Sequence, residues 1–516
     1  MRATRPLILP GLVAGALVAI LVAGSIVAVL LRAGEAPSLG SADWAAVRFT
    51  LWQAALSAVL SVGLAIPVAR ALARRRFPGR GALILLVGAP FILPVIVAIL
   101  GLLMVFGRSG WVNEIGALVG LPQLSIYGVH GVILAHVFFN LPLATRLILQ
   151  GWQAIPAERF RLAASLSMAP RDIARHIEWP MLKGVVPGAA LVIFLICTSS
   201  FAVALTLGGG PRATTIELAI YQAFRFDFDI GRAALLALVQ MAVTVAAGLA
   251  AFAVPVPDAM GGGLDRVVRR WDLGRPWGDA LVIALAALFL LAPLLALTIR
   301  GVPTFTDLPV SVWSAAGRSI WVAAASALLC VCLGLAISVA AARTGRRRAK
   351  GVELAGMLGL AASPLVLGTG LFIVTFPFFR PDTVALPVTA VVNAVLALPF
   401  ALRAILPAVA RIEGDYRRLA DALGFGPWAW IWRVLLPRLR RPLGFAGGLA
   451  AALSMGDLGV IALFADSETA TLPLQLYRLM GAYRMDQAGG AAVLLLGLSL
   501  LAFWLCDRGG RVDADT

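Results

Sequence analysis

Acidic residues are scarce in this chain. Only 26 of its 516 residues are Asp or Glu, against 43 Lys or Arg, so the net charge is +17 and charged residues of both signs reach only 13%. An ordinary soluble domain carries about 25%. Cysteine is rarer still: Cys197, Cys330, Cys332 and Cys506 all sit inside apolar runs, and no CxxC pair or Cys/His cluster has metal-binding spacing. The three histidines, His130, His136 and His176, share no local motif. No GxxxxGK[ST] phosphate loop occurs, so the chain is not its own ATPase. No His/Asp/Glu constellation marks an enzyme site, and catalytic, metal and cofactor residues are all expected to be absent. The excess of Lys and Arg lies in short clusters and not in a stripe interleaved with aromatics, which argues against a nucleic-acid partner.

Hydrophobic residues, by contrast, make up 60% of the chain, with a mean hydropathy of +0.93. No single soluble core grows to that size, so the apolar surface belongs in a lipid bilayer. Apolar runs long enough to span one fall at about 7–31, 46–69, 82–106, 127–150, 184–207, 232–255, 279–299, 316–342, 352–376, 383–408, 442–465 and 489–506. The first run is too long for a signal-peptide core and is read as a retained helix. The fold expected is all-α, a polytopic membrane protein of about twelve transmembrane helices. Placing both termini in the cytoplasm puts most Lys and Arg on the cytoplasmic side, including Arg74–Arg76 and Arg346–Arg348, as the positive-inside rule requires.

The Gly-rich, charged stretch 257–277 reads as a cytoplasmic linker between two halves, 1–256 and 278–516, of six helices each. Six is even, so the halves insert in the same sense, as parallel repeats. A polar block occurs once in each half, 257 positions apart: Arg161 to Pro180, and Arg418 to Pro437. Leu141–Arg146 and Leu398–Arg403 match at the same offset, while Pro94 pairs with Pro364 at 270, which predicts 13 extra residues between the third and fourth helices of the first half. Each block has a breaker at its centre, Ser167-Met168-Ala169-Pro170 or Gly424-Phe425-Gly426-Pro427, and ends in a proline suited to a helix start. The product expected is a short helix across one membrane face, with Met168, Phe425 and Trp428 exposed as a partner surface.

These blocks resemble the EAA loop of binding-protein-dependent ABC importer permeases: Glu-Ala-Ala, three residues, Gly, nine residues, Ile-x-Leu-Pro. Gly424 keeps the glycine and Ser167 replaces it; the endings are Ile177-Glu178-Trp179-Pro180 and Val434-Leu435-Leu436-Pro437; the leading triplet is degenerate at Arg161-Leu162-Ala163 and Arg418-Leu419-Ala420. The resemblance implies the type I importer permease fold. It implies that Arg161, Ala163, Ser167, Met168, Pro170, Ile177, Pro180, Arg418, Ala420, Gly424, Phe425, Pro427, Val434 and Pro437 couple the chain to two copies of a cytoplasmic ABC ATPase, which binds the ATP. It further implies a periplasmic substrate-binding protein as partner, the bacterial inner membrane as location, and alternating access as mechanism. Fused two-half members include the ferric-iron and thiamine permeases. Stretches such as 131–150, 177–180 and 207–240 look most like the thiamine/thiamine-diphosphate permeases. Thiamine or its phosphates is therefore the small-molecule cargo expected, with ferric iron or another small solute as the alternative, and a secondary carrier behind both.

Read on their residues alone, Asp457 is the one acid deep in an apolar run, a candidate for the substrate path or for a packing role beside Gly456 and Gly459. Trp52 and Trp321 fall at similar places in the two halves and are candidates for the path or for interfacial belts. Glu217, Arg225 and Asp227 sit in one non-cytoplasmic loop, either contacting the binding protein or simply solvated.

Overall fold

The computed structural model describes residues 5–34, 38–88, 92–252, 267, 274, 276–361 and 363–510, and these are helical with no strand. The first half opens with α1 (Arg5–Ala33) and α2 (Ser41–Arg74). α3 (Arg80–Gly88) and α4 (Val95–Phe106) follow, then α5 (Trp111–Leu118) and α6 (Val129–Gln153). The block forms α7 (Ala157–Ser165) and α8 (Pro170–Ile173), and the fifth span is α9 (Trp179–Thr198) continued by α10 (Phe201–Leu207). A short α11 (Ile216–Arg225) precedes the sixth, α12 (Ile230–Phe252).

The second half repeats the order: α13 (Trp277–Gly301), α14 (Val310–Arg343), α15 (Arg346–Met357) with α16 (Pro364–Thr375), α17 (Pro381–Ala422), α18 (Pro427–Trp430), α19 (Leu436–Met455) with α20 (Gly459–Phe464), α21 (Leu472–Gly481) and α22 (Met485–Gly510). Eleven helical stretches among the described residues are long and apolar enough to cross a membrane, and a twelfth arises if the pair Arg347–Leu360 and Pro364–Thr375, bent by 96°, counts as one. The fifth spans, expected as single runs, are broken. Ser199-Ser200 and Gly456-Asp457 interrupt them, because small polar residues that bond their own backbone compete with helix.

The repeat is tighter than the sequence comparison indicates. Ser41 and Arg74 map onto Val310 and Arg343, 269 positions on, and Val95–Phe106 onto Pro364–Thr375 at the same offset. The counterpart of Pro94 is therefore Ser363 and not Pro364. The insertion between third and fourth spans is 12 residues, and it includes α5. From α8 to α10 the offset is 257.

The halves do not pack as two separate bundles. α1 lies against α14, α15 and α16 of the second half, and α13 lies against α4 and α2 of the first. Glycines allow this close approach: a Cβ on Gly101 of α4 would lie 2.6 Å from the Pro293 carbonyl oxygen of α13, and one on Gly370 of α16 would lie 2.4 Å from the Ser25 carbonyl oxygen of α1. Gly101 and Gly370 are 269 positions apart, so the crossing is itself two-fold. Without a hydrophobic force between helices in lipid, such close backbone packing is what holds them together. Most of the linker 257–277 lies outside the described residues. Beside it Arg75 pairs with Asp279 at 2.6 Å and Arg76 donates to the Val267 carbonyl at 3.3 Å.

Candidate functional site

The two blocks fold alike, turn for turn. In the first, α7 ends where Ser167 takes a left-handed φ of 50°, with Ser167 N–H donating to the Ala164 carbonyl at 3.0 Å and Met168 N–H to that of Ala163 at 3.0 Å. In the second, Gly424 takes φ 69°, and Gly424 and Phe425 donate to the carbonyls of Asp421 and Ala420 at 3.2 and 2.9 Å. Both are Schellman caps. Pro170 and Pro427 then start α8 and α18, and each passes through one π-helical turn, Ala174–Glu178 or Ile431–Leu435, into the fifth span. Pro180 and Pro437 account for that turn. Neither has an N–H for the carbonyl four residues back, so the preceding residues, Trp179 and Leu436, donate to the carbonyls of Ala174 and Ile431, five back.

The blocks differ in one boundary. Pro156 caps α7 and separates it from α6, but its counterpart is Glu413, so α17 runs unbroken for 42 residues through the fourth span and into the block. Different groups also pin the blocks. Glu178 of the first block is buried and accepts from Arg70 Nε at 2.8 Å. In the second, Glu413 accepts from Arg343 Nε at 2.8 Å and from the Trp430 indole N–H at 3.0 Å; Arg343 Nη2 lies 2.7 Å from the same oxygen but off a hydrogen-bond axis. Arg343 and Arg417 flank the Trp430 ring at 5.8 Å each.

The exposed apolar residues differ from the expectation. Met168 and Phe425 are half-buried, turned under the block by the cap. Trp428 is exposed as expected, at 73%. In place of Met168 and Phe425 the exposed residues are Leu162 and Leu166 (61 and 65%), their counterparts Leu419 and Leu423 (57 and 63%), one helical turn apart, and Trp432 at 66%. Arg161, Pro180, Arg418 and Pro437 are exposed, Pro170 is exposed with Pro427 half-buried, and Ile177 and Val434 are half-buried. Ala163 and Ala420 are buried beneath the leucines.

A left-handed backbone costs a residue with a Cβ roughly 1–2 kcal/mol. Ser167→Gly should therefore raise stability by about 1 kcal/mol. Gly424→Val should lower it by a similar ~1–2 kcal/mol, although a Cβ there meets nothing within 4 Å. Unfolding midpoints of the detergent-solubilised chain check both, and unchanged midpoints would reject the strain argument.

Between the spans, equivalent positions build buried polar clusters. Ser57 Oγ lies 3.3 Å from His136 Nδ1, and Cys197 accepts from the Asn140 amide at 3.3 Å. In the second half Ser326 Oγ lies 3.0 Å from Ser454 Oγ, which also accepts from Asn393 at 3.1 Å. Ser326 answers to Ser57, and Asn393 and Ser454 answer to His136 and Cys197. In the sequence His136 belongs to no local motif and Cys197 stands alone in an apolar run. The 257 offset was the available signal for their link to Asn393 and Ser454, and the 269 offset that links Ser57 to Ser326 emerges from the helix bounds.

Asp457 sits in the break between α19 and α20, where its Oδ1 accepts from Gly459 N–H at 3.1 Å and its buried Oδ2 has no hydrogen-bond partner. Trp52 and Trp321 are not in the interior. They are 52 and 51% exposed, on faces of α2 and α14 that also expose Val59 and Leu328, so their place is the apolar exterior. Glu217 does not reach a soluble partner either: it is fully buried at the start of α11. The Ile216 N–H donates to Thr50 Oγ1 at 2.9 Å, which carries the N-terminus of α11 inward; Leu472 N–H makes the equivalent 2.8 Å bond to Ser319. Arg225 and Asp227 remain exposed at the other end, where Asp227 pairs with Arg232 at 2.7 Å. In the second half, on the loop between α20 and α21, the Thr469 hydroxyl and backbone hold the Asp466 carboxyl below its ordinary range.

A family model described as binding-protein-dependent transport system inner membrane component matches residues 332–506. Relatives match across both halves. The thiamine transport system permease protein of Salmonella typhimurium is 42% identical over 481 residues, 90% of this chain and 89% of that protein. The protein of the same description from Escherichia coli is 42% identical over 494 residues, 92% and 90% of the two chains. That from Brucella abortus is 38% identical over 520 residues, 98% and 95% of the two.

Proposed function

The chain belongs to the binding-protein-dependent ABC importer permeases, and on that premise we propose that it carries thiamine or its phosphates into the cytoplasm. It is a multi-pass membrane permease subunit and not an enzyme. Hydrolysis belongs to a separate ATPase, of which two copies, one per block, fit the two-fold arrangement; these subunits bind the nucleotide, and this chain needs no cofactor. The observation that carries this reading is the pair of blocks, which present the same two leucines on the same cap-and-π-turn frame in each half. The basic clusters support a cytoplasmic position for the blocks, both termini and the linker. The opposite face, with Arg225 and Asp227, then meets the substrate-binding protein.

In mechanism, the capped ends rest in clefts of the ATPase, and closure of the ATPase pair on ATP draws the two blocks together. Each block continues through its π turn into a fifth span, so its motion reaches the broken helices at the centre. Coupling residues in this scheme are those of the blocks, from Arg161 to Pro180 and from Arg418 to Pro437, with Asp457 on the path. The interior then opens to alternate sides, as in other two-fold carriers.

The cargo follows from the likeness to the thiamine permeases across both halves. The test is ATP-dependent uptake of labelled thiamine into proteoliposomes holding this chain, its ATPase and its binding protein. Uptake suppressed by unlabelled thiamine and not by ferric iron is expected. ATP hydrolysis without thiamine uptake would keep the importer and reject the cargo, and uptake driven by a proton gradient alone would reject the class.

A further inference from the structure

We infer that Glu217 and Asp457 form a membrane-embedded recognition site for the cationic heteroaromatic part of the cargo, closed on its outer side by a layer of phenylalanine rings. The inference rests on the thiamine reading above, because thiamine carries a permanently charged ring.

Three helices from the two halves meet here: α11 of the first packs against α16 and α20 of the second. All three start deep and run toward the face opposite the blocks. At their deep ends they carry polar groups. Glu217 lies in the first turn of α11, facing the hydroxyl of Ser363, which caps α16. Asp457 precedes α20, and Gly459 beside it packs against Pro364, the first residue of α16. The two carboxylates thus flank the same helix start, one from each half.

Further along the same helices come the rings. Phe224, two turns or about 10 Å beyond Glu217, meets Phe372 of α16 edge-on with centroids 4.3 Å apart. Phe372 in turn meets Phe464, the last residue of α20, at 5.3 Å. All three rings are buried. The result is a polar floor beneath an aromatic roof, assembled across the boundary between the halves.

The floor lacks what such a site needs to be stable on its own. Glu217 is fully buried, and neither of its carboxylate oxygens has a hydrogen bond of good geometry. Asp457 is held by the first amides of α20 with Asn393 close by, and its buried Oδ2 has no hydrogen bond of good geometry. A buried, unpaired carboxylate in a membrane is costly, and a cation offsets that cost. The carboxylates attract the charged end of a cation, and the rings about 10 Å further along the helices offer apolar aromatic cover to the rest of the same molecule. Together these favour an aromatic cation over a neutral solute. The second half has no equivalent acid, since Pro473 stands where the first has Glu217. The site is therefore single, as suits one cargo molecule per stroke.

The test uses the whole complex in proteoliposomes, with labelled thiamine. Glu217→Gln and Asp457→Asn should each cut uptake by about tenfold or more, a loss of at least ~1.4 kcal/mol of recognition. Hydrolysis stimulated by the binding protein should stay near wild type, and the unfolding midpoint should hold or rise, because each variant removes a buried unpaired charge. Glu217→Asp, which keeps the charge, should retain more uptake than Glu217→Gln. Wild-type uptake in both neutral variants would overturn the site and leave the cargo reading standing. Equal loss in Glu217→Asp and Glu217→Gln with a lowered midpoint would make Glu217 a packing residue and also overturn it. If the wild-type complex takes up no thiamine, the cargo reading falls, and the site falls with it.

Discussion

Gly370→Leu is expected to destabilise the protein by roughly 3 kcal/mol or more, at the upper end of what overpacking costs. The reason is geometric. Even a Cβ at this position would lie 2.4 Å from the carbonyl oxygen and 2.7 Å from the Cα of Ser25, so the backbone of α1 itself must move. A side chain can rotate away from such a contact, but a helix backbone cannot. Because α1 belongs to the first half and α16 to the second, the damage falls on the crossing that joins them. Gly101→Leu should act in the same way on α13, through the Pro293 carbonyl. Gly63→Leu is the control, since Gly63 is exposed on α2 with nothing within 4 Å of its would-be Cβ. Thermal unfolding of the three variants in detergent decides the matter. If Gly370→Leu melts with Gly63→Leu, the crossing does not carry the stability assigned to it.

Glu413→Ala should cost about 3–5 kcal/mol, because it leaves a buried guanidinium without its counter-charge. The side chains of Arg343 and Glu413 are only 4 and 9% exposed, and the indole of Trp430 loses its acceptor at the same time. Trp430 is the last residue of α18, so the second block should loosen on the fourth span and ATP hydrolysis should run without matching uptake. Glu158→Ala supplies the contrast. Its pair with Arg161 spans 4.0 Å between side chains that are 73 and 78% exposed. An exposed pair of that kind is worth about 0–1 kcal/mol. The double variant Arg343→Leu/Glu413→Leu should recover much of the loss, since an apolar pair pays no desolvation of charge. Unfolding midpoints and the ratio of hydrolysis to uptake measure both effects, and a Glu413→Ala protein as stable and as coupled as Glu158→Ala would refute the argument.

The comparison of blocks explains why some of this was legible and some was not. The offset of 257 is covalent information, and Gly424, Pro427 and Pro437 each impose a local conformation that needs no neighbour. The cap and the helix start were therefore readable, and the π turn has its cause in a single missing N–H. Which apolar side chain faces out was not readable, because Met168 and Phe425 follow a left-handed residue that turns them under the block, while Leu162 and Leu419 precede it. The unbroken α17 was missed for a different reason. Glu413 in place of Pro156 is visible in the sequence, but its weight lies in Arg343, 70 positions away.

The interior shows the same division. Glu217 sits in a polar-looking stretch between two apolar runs, and such a stretch reads as an exposed loop. Only the bond from Ile216 to Thr50, 166 positions apart, carries it inward. Trp52 and Trp321 were correctly seen as equivalent, but the face of a helix that meets lipid depends on what packs on the other face.

By itself, then, the sequence determined the class, the membrane-spanning all-α architecture, the two-fold repeat and the position of the two blocks along the chain. Hydropathy, basic clusters, glycine and proline act through the solvent and the local backbone, and so are legible along one dimension. Tertiary structure alone decided the exchange of first helices, the burial of Glu217, the pinning of each block and the gathering of three helices from both halves around the acids and rings. Those depend on which backbones come close enough to touch, and contacts between residues hundreds of positions apart leave no local pattern from which to read them.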